Sequence, residues 1–260
     1  MLASLSLQAL YPYAVADGGG VGLAYSYYTK RLLLSPWLDG LRNRPKRSHA
    51  LRVLIAGLPE KMGSSLDLLL IAQELGVMPL IVDDRPAALD KLNQAVATGK
   101  RLGILQDSRF KGLIVNDMGV IWEAATDFDV VLSSGVLQRL DSDTQTAYLK
   151  HLQQIATDIA IFAPNQTNLQ HLAQHEINGI ALTTLQDAFK TGKRQFGYTA
   201  AAPFATTVSL SQLFDKRRVS DRLRTLFFVG LQTSAWLERL SPNERRAARS
   251  RLVYTLWRTG

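Results

Sequence analysis

An α/β chain built on a doubly wound, mostly parallel sheet of about seven strands, with helices on both faces, is predicted by three observations. Val53–Ala56, Leu80–Val82, Val130–Leu132 and Ile159–Phe162 are short, continuous apolar runs, as strands buried on both faces are. Amphipathic stretches separate these runs, so strand and helix alternate. Each run stops on a glycine, acid, serine or small-residue turn, the residue types that suit loops at the carboxyl edge of such a sheet.

The stretch around which the chain is organised is Leu51–Asp84. Val53–Ala56 ends at Gly57, Leu66–Leu75 carries apolar residues at 66, 69, 70 and 75 and predicts a helix, and Leu80–Val82 stops on Asp83-Asp84. Strand, glycine turn, helix, strand and acid outline a Rossmann-like nucleotide-binding half-unit. A full fingerprint has three closely spaced glycines, whereas here Leu58-Pro59-Glu60-Lys61-Met62 separates Gly57 from Gly63. Gly57 can make the sharp turn, but Pro59 and the longer insert replace the close backbone approach of the second glycine. The same loop also reads as an ordinary strand–helix connection.

In chain order, Met1–Ala16 is apolar and Asp17-Gly18-Gly19-Gly20 breaks it. Tyr25–Leu38 predicts an aromatic-rich helix that Pro36 bends or ends. Arg42–Arg47 reads as a basic linker, so 1–50 forms an extension ahead of a core at 51–200. Ala87–Ala97 is helical, Gly103–Gln106 and Leu113–Val115 are short strand candidates, and Asp141–Ile155 is a helix. Asn168–Glu176 and Thr184–Lys190 are helical, Phe196–Tyr198 is a late strand, and Ala200–Thr207 is a small-residue loop. Residues 201–260 complete the same domain with helices at Ser209–Phe214 and Asp221–Leu226, and Phe227–Val229 as strand or helix. A last helix runs from Pro242 to about Arg251, with Ser241 as its cap and arginines 245, 246, 249 and 251 on one face.

Composition narrows the function classes. The 260 residues can bury a large core, and the absence of cysteine excludes disulfides and thiolate chemistry. Four scattered histidines argue against a zinc site. No signal-peptide pattern and no run of transmembrane length is present, which suggests a cytoplasmic protein, with peripheral membrane attachment left open. The net charge of +8 is uneven: residues 1–50 carry six Lys/Arg against two acids, 51–200 thirteen against sixteen, and 201–260 eleven against four. Basic ends suit an acidic protein or an anionic membrane surface, and nucleic acid less well, since no aromatics interleave with the charges. They also read as solvated arginines.

Three segments together resemble the class I S-adenosylmethionine-dependent methyltransferases, especially those acting on small molecules. They are Val53-Leu54-Ile55-Ala56-Gly57 with Asp83-Asp84, Asp127-Phe128-Asp129-Val130-Val131-Leu132-Ser133-Ser134-Gly135, and Ile161-Phe162-Ala163-Pro164-Asn165. The resemblance implies S-adenosylmethionine as cofactor, with Gly57 beneath its methionine part and Asp83 or Asp84 accepting the ribose hydroxyls. It places Asp117 at the adenine amine, and Ser133, Ser134 and Gly135 beside the sulfonium and substrate, with Gln138 and Arg139 near the substrate entrance. Two features depart from the family: Ile55 stands where an acid usually meets the cofactor's ammonium, and Gly57-Leu58-Pro59 replaces Gly-x-Gly. Glu60 could take over the ammonium, and Gly63 closes the loop.

Methyl transfer depends mainly on proximity and orientation, so the sequence names no catalytic base. Asp107, Tyr25, Tyr198 and Asn165 are candidates by placement alone. His171 and His175 have metal-compatible spacing with no third ligand in view, and read as a solvated helix face. Two functions follow. One is methyl transfer to a small-molecule acceptor, for which a cleft over Gly57 open to Asp83 and Asp117 is required. The other is a structural, regulatory or assembly subunit on the same fold, for which Leu58, Pro59 or Met62 would fill that space.

Overall fold

The computed structural model describes residues 5–42, 50–105, 109–118, 127–201 and 221–259. Among these residues seven strands form one sheet: β1 (Val53–Ala56), β2 (Leu80–Asp83), β3 (Lys111–Ile114), β4 (Phe128–Ser134), β5 (Ala156–Pro164), β6 (Lys193–Ala201) and β7 (Ser250–Arg258). Their order is β3-β2-β1-β4-β5-β7-β6, and β7 runs antiparallel to both its neighbours. The strand order reverses between β1 and β4, which puts the loops after these two strands at the sheet's switch point.

Among the described residues the α-helices are α1 (Leu7–Ala16), α2 (Val21–Arg42), α3 (Leu66–Glu74), α4 (Pro86–Arg101), α5 (Ser142–Ile155), α6 (Leu169–His175), α7 (Leu182–Ala188), α8 (Asp221–Leu240) and α9 (Asn243–Arg249). Strand side chains alternate between two cores, as the period of two requires. In β5, Ala160 and Phe162 join the core shared with α1–α4 and α8, while Ile159, Ile161 and Ala163 join that of α5 and α7. The sheet is therefore covered on both faces.

Charged groups bind α2 to α3 and to the glycine loop. Lys30, on the buried side of α2, donates to Asp67 at 2.9 Å and to Ser134 Oγ at 2.8 Å, while Arg31 pairs with Glu74. Asp17 accepts from Tyr27 Oη, Ser64 Oγ and, at 2.9 Å, the Ser64 amide. Burial still raises its pKa above the ordinary aspartate value.

Several local expectations change. Pro36 lies inside α2 and does not end it. Gly103–Leu105 closes α4 and forms no strand: Gly103 takes the left-handed conformation at φ 70° and the Ile104 amide returns to the Gly99 carbonyl, while Gln106 lies outside the described residues. Phe227–Val229 continues α8 as helix. Ser241 does not cap α9, because its hydroxyl turns back to the Leu237 carbonyl. Arg251 belongs to β7 and not to the helix before it, and this last strand, like α1, is an element that the sequence pattern does not announce. The basic linker from residue 43 to 47, the loop at 202–207 and the helix expected at Ser209–Phe214 lie outside the described residues.

The Lys30–Asp67 pair is almost wholly buried, so removing one partner strands the other charge. Lys30→Met is expected to lower stability in urea by about 3–5 kcal/mol, and Lys30→Met with Asp67→Leu to recover much of that loss. Equal losses in the single and double variants would show that the pair does not bind α2 to α3.

Candidate functional site

Gly57 follows β1 with φ at 75°, and its amide donates to the Val82 carbonyl at 2.7 Å. A β-carbon there would stand 2.6 Å from Val136 Cγ2 and 3.1 Å from Met118 Cε. Gly135, after β4, has φ at 68°, and a β-carbon there would meet Pro59 Cβ at 2.9 Å. Leu58 is fully buried in the core between these loops. The two switch-point glycines thus let apolar side chains approach their backbones: Val136 and Met118 close on Gly57, and Pro59 closes on Gly135.

Asp83, at the end of β2, has no solvent exposure. Its Oδ1 accepts from the Arg85 amide and Arg85 Nε, both at 2.9 Å. Oδ2 accepts from the Leu58 amide at 2.7 Å, Arg85 Nη2 at 3.2 Å and Arg139 Nη2 at 3.4 Å. These contacts use the roughly four acceptor sites of a carboxylate. Arg139 also pairs with Asp84 at 2.8 Å, and Arg85 Nη2 donates to the Leu58 carbonyl at 2.7 Å. One acid and two arginines therefore tie β2, the glycine loop and the turn after β4 together.

The remaining candidates are dispersed. Glu60 and Asp117 are exposed, while Met118 beside Asp117 is fully buried. Gly63 has φ at 71° and admits Asp17, whose Oδ2 would lie 2.7 Å from a β-carbon there. Ser133 Oγ meets Tyr148 Oη at 2.8 Å in the core, and Ser134 accepts from Lys30. Tyr25 donates to the Ala201 carbonyl at 3.1 Å, with burial raising its pKa, and Asn165 donates to the Ala247 and Ser250 carbonyls. Tyr198 is half-buried on β6, and Asp107 lies outside the described residues.

As they stand, these residues do not fit S-adenosylmethionine. Asp83 has no acceptor left for a ribose, Val136 and Met118 stand against Gly57, and Ile55 is buried where an ammonium would need an acid. A cavity of about 50 Å³ lies at the exit of β4 and β5, on the other side of Pro59 and Gly135, bordered by Ser26, Lys30, Ser134, Gln138, His171 and Arg251 among others. Small-molecule sites run to roughly 300–1,000 Å³, so this space suits only a few atoms.

His171 corrects the solvated-face reading: it is buried, with its ring 4.8 Å from that of His175. Burial pushes its pKa down to about 3, with Arg251 and His175 adding to the effect. Among the described residues no group of three ligands could hold a metal. Lys30, Val136 and Arg251 are site residues that sequence reasoning misses. A lysine on an otherwise apolar helix face, and an arginine opening a β-branched and aromatic run, are the available signals.

Asp83→Asn is expected to lower stability by about 1–3 kcal/mol in chemical denaturation, because Arg85 and Arg139 lose their buried counter-charge and keep only the more exposed Asp84. A neutral result would detach Asp83 from any structural role at the switch point. The His171 shift has a defined sign. Its folded value lies below the unfolded value near 6.5, so stability falls as pH drops through 6.5 toward about 3. Asp17 and Glu238, raised by burial, act in the opposite sense, since their contribution is lost as pH rises. His171→Gln should therefore flatten the stability–pH slope by up to about 1.4 kcal/mol per pH unit relative to the parent, and superimposable slopes would refute the assignment.

No protein-family model and no curated protein matches the sequence. Solved structures resemble its fold. A candidate sarcosine dimethylglycine methyltransferase from Galdieria sulphuraria aligns at a TM-score of 0.54 with 11% identity, covering 94% of this chain and 88% of its own. An S-adenosylmethionine-dependent methyltransferase from Archaeoglobus fulgidus aligns at 0.50 with 15% identity, covering 88% and 94%. The strand order with its antiparallel β7 agrees with these likenesses: the chain has the fold of the class I S-adenosylmethionine-dependent methyltransferases.

Proposed function

We propose that this protein uses the methyltransferase fold as a structural, regulatory or assembly subunit, with the cleft at the switch point closed by its own side chains. The observation that carries this reading is the Asp83 cluster, in which the carboxylate spends its acceptors on Arg85, Arg139 and the Leu58 amide. The outer face of α8 supports it. Leu223, Leu226, Val229, Trp236, Leu237 and Leu240 are all at least half exposed, at spacings that form one side of a helix. Arg222 and Arg239 are exposed on the same helix, and Glu238 is buried. Such a face suits a protein partner that brings acids around an apolar centre.

A second reading, methyl transfer from S-adenosylmethionine to a small-molecule acceptor, is favoured by the turn retained at Gly57 and by the acid retained at the end of β2. It requires Val136 and Met118 to withdraw and both arginines to release Asp83. Among the described residues no helix is long and apolar enough to cross a membrane, and a cytoplasmic location remains part of the proposal.

Calorimetric titration with S-adenosylmethionine and its demethylated product separates the two. The subunit reading expects no heat and no thermal stabilisation up to about 1 mM ligand, an affinity weaker than about −4 kcal/mol. Micromolar binding would overturn it in favour of the enzyme.

A further inference from the structure

The cavity beside β4 and β5 has a wall with an unusual charge balance. Lys30, Lys61 and Arg251 border it, and among the described bordering residues there is no carboxylate. Lys30 is neutralised by Asp67 behind it, and Lys61 by Glu176 on the surface. Arg251 differs. It is only partly exposed, burial lowers its pKa, and among the described residues no acid pairs with its guanidinium. Its electrostatic neighbour is Tyr25, whose pKa is raised by burial, so the hydroxyl is neutral and supplies no counter-charge. Gly22, at the start of α2, leaves room for this group, since a β-carbon there would stand 3.1 Å from Arg251 Nη1.

A second orphan borders the same space. Gln138 is 7% exposed, and its amide nitrogen donates to the Gly135 carbonyl at 2.7 Å, which fixes the amide orientation. Its Oε1 is buried without a hydrogen-bond partner. A buried acceptor left unmatched is costly, and so is a desolvated guanidinium with no anion. Arg251 calls for an oxyanion, and Gln138 Oε1 calls for an N–H or O–H donor. Neutral His171 in the wall can give or accept one more hydrogen bond.

We propose that this cavity is a binding site for a small oxyanion that also carries a hydrogen-bond donor, with the oxyanion on Arg251 and the donor on Gln138 Oε1. The volume limits its size. A water needs roughly 10–15 Å³ by this measure, so about 50 Å³ holds three to five heavy atoms. Hydrogen phosphate and a two-carbon hydroxy or amino acid both meet the size and the chemistry. Asp83, Arg85 and Arg139 do not border this cavity, although Pro59, Ser134 and Gly135 of the switch-point loops do, and the anion response is read in the absence of S-adenosylmethionine.

The test is thermal unfolding of the full chain in sodium phosphate, glycolate or acetate, against sodium chloride at matched ionic strength. At tenfold excess over its dissociation constant, a fitting anion should raise the melting temperature by about 3–6 °C. A response to phosphate alone identifies a phosphoryl ligand, and one to glycolate alone a carboxylate. Glycolate should exceed acetate, which lacks the donor, and Gln138→Leu should abolish that preference. Arg251→Gln removes an uncompensated cation, so it should melt no lower than the parent without anion and lose the anion response. No stabilisation beyond chloride by phosphate or glycolate, or an equal response in Arg251→Gln, would overturn the proposal. Should Arg251→Gln not fold, the parent's anion series and Gln138→Leu decide the matter.

Discussion

The bidentate hold of Arg85 on Asp83, completed by Arg139 and the Leu58 amide, is the interaction on which the switch point depends. It sits where β2, the loop after β1 and the turn after β4 meet, so three connections that would otherwise be independent share one carboxylate. Because Asp83 is wholly buried, water cannot replace the donors on its carboxylate, although Arg85 and Asp84 are partly exposed. Val136, Met118 and Pro59 then pack against glycine backbones that the cluster holds in place. The apolar closure and the charged closure support each other.

The N-terminal helices extend the same arrangement. Asp17 is received by Ser64 and Tyr27, and Lys30 by Asp67 and Ser134, so α2 is fastened to the end of the loop before α3, to the first turn of α3 and to the end of β4. Each of these groups loses hydration on folding and regains it only through its partners. The loop after β1 is consequently braced from two sides, by the β2 arginine cluster and by α2. A loop held in this way is a scaffold element more than a mobile cover.

The alternation of strands and helices is legible because buried parallel strands are written as continuous apolar runs, and Val53–Ala56 and Ile159–Phe162 show this plainly. Gly57, Asp83 and Gly135 are legible as positions, since turns at strand ends demand such residues. What surrounds them is not. That Arg85 and Arg139 both turn toward Asp83 depends on a contact between residues 56 apart in sequence, which no local pattern records. Gly103–Leu105 misleads because its apolar residues seal a helix end, and β7 is hidden because the arginines before it carry a helical pattern through Arg251. Lys30 and Arg251 look in sequence like ordinary surface charges, and only the packing of α2 on β7 and β4 buries them.

The position of β7 also sets an order on folding during synthesis. β5 ends at Pro164, yet the strand that covers its free edge begins only at Ser250. At ribosomal rates of about 5–20 residues per second, the edge of β5 waits roughly 4–17 s for its partner. β6 emerges in that interval parallel to β5, with no hydrogen-bonded neighbour until β7 inserts between them. Two unpaired edges, that of β5 largely apolar, that face one another across a vacant slot are an invitation to strand exchange between nascent chains. The basic residues concentrated after residue 200 therefore arrive at the time when like-charge repulsion between neighbouring chains is most useful.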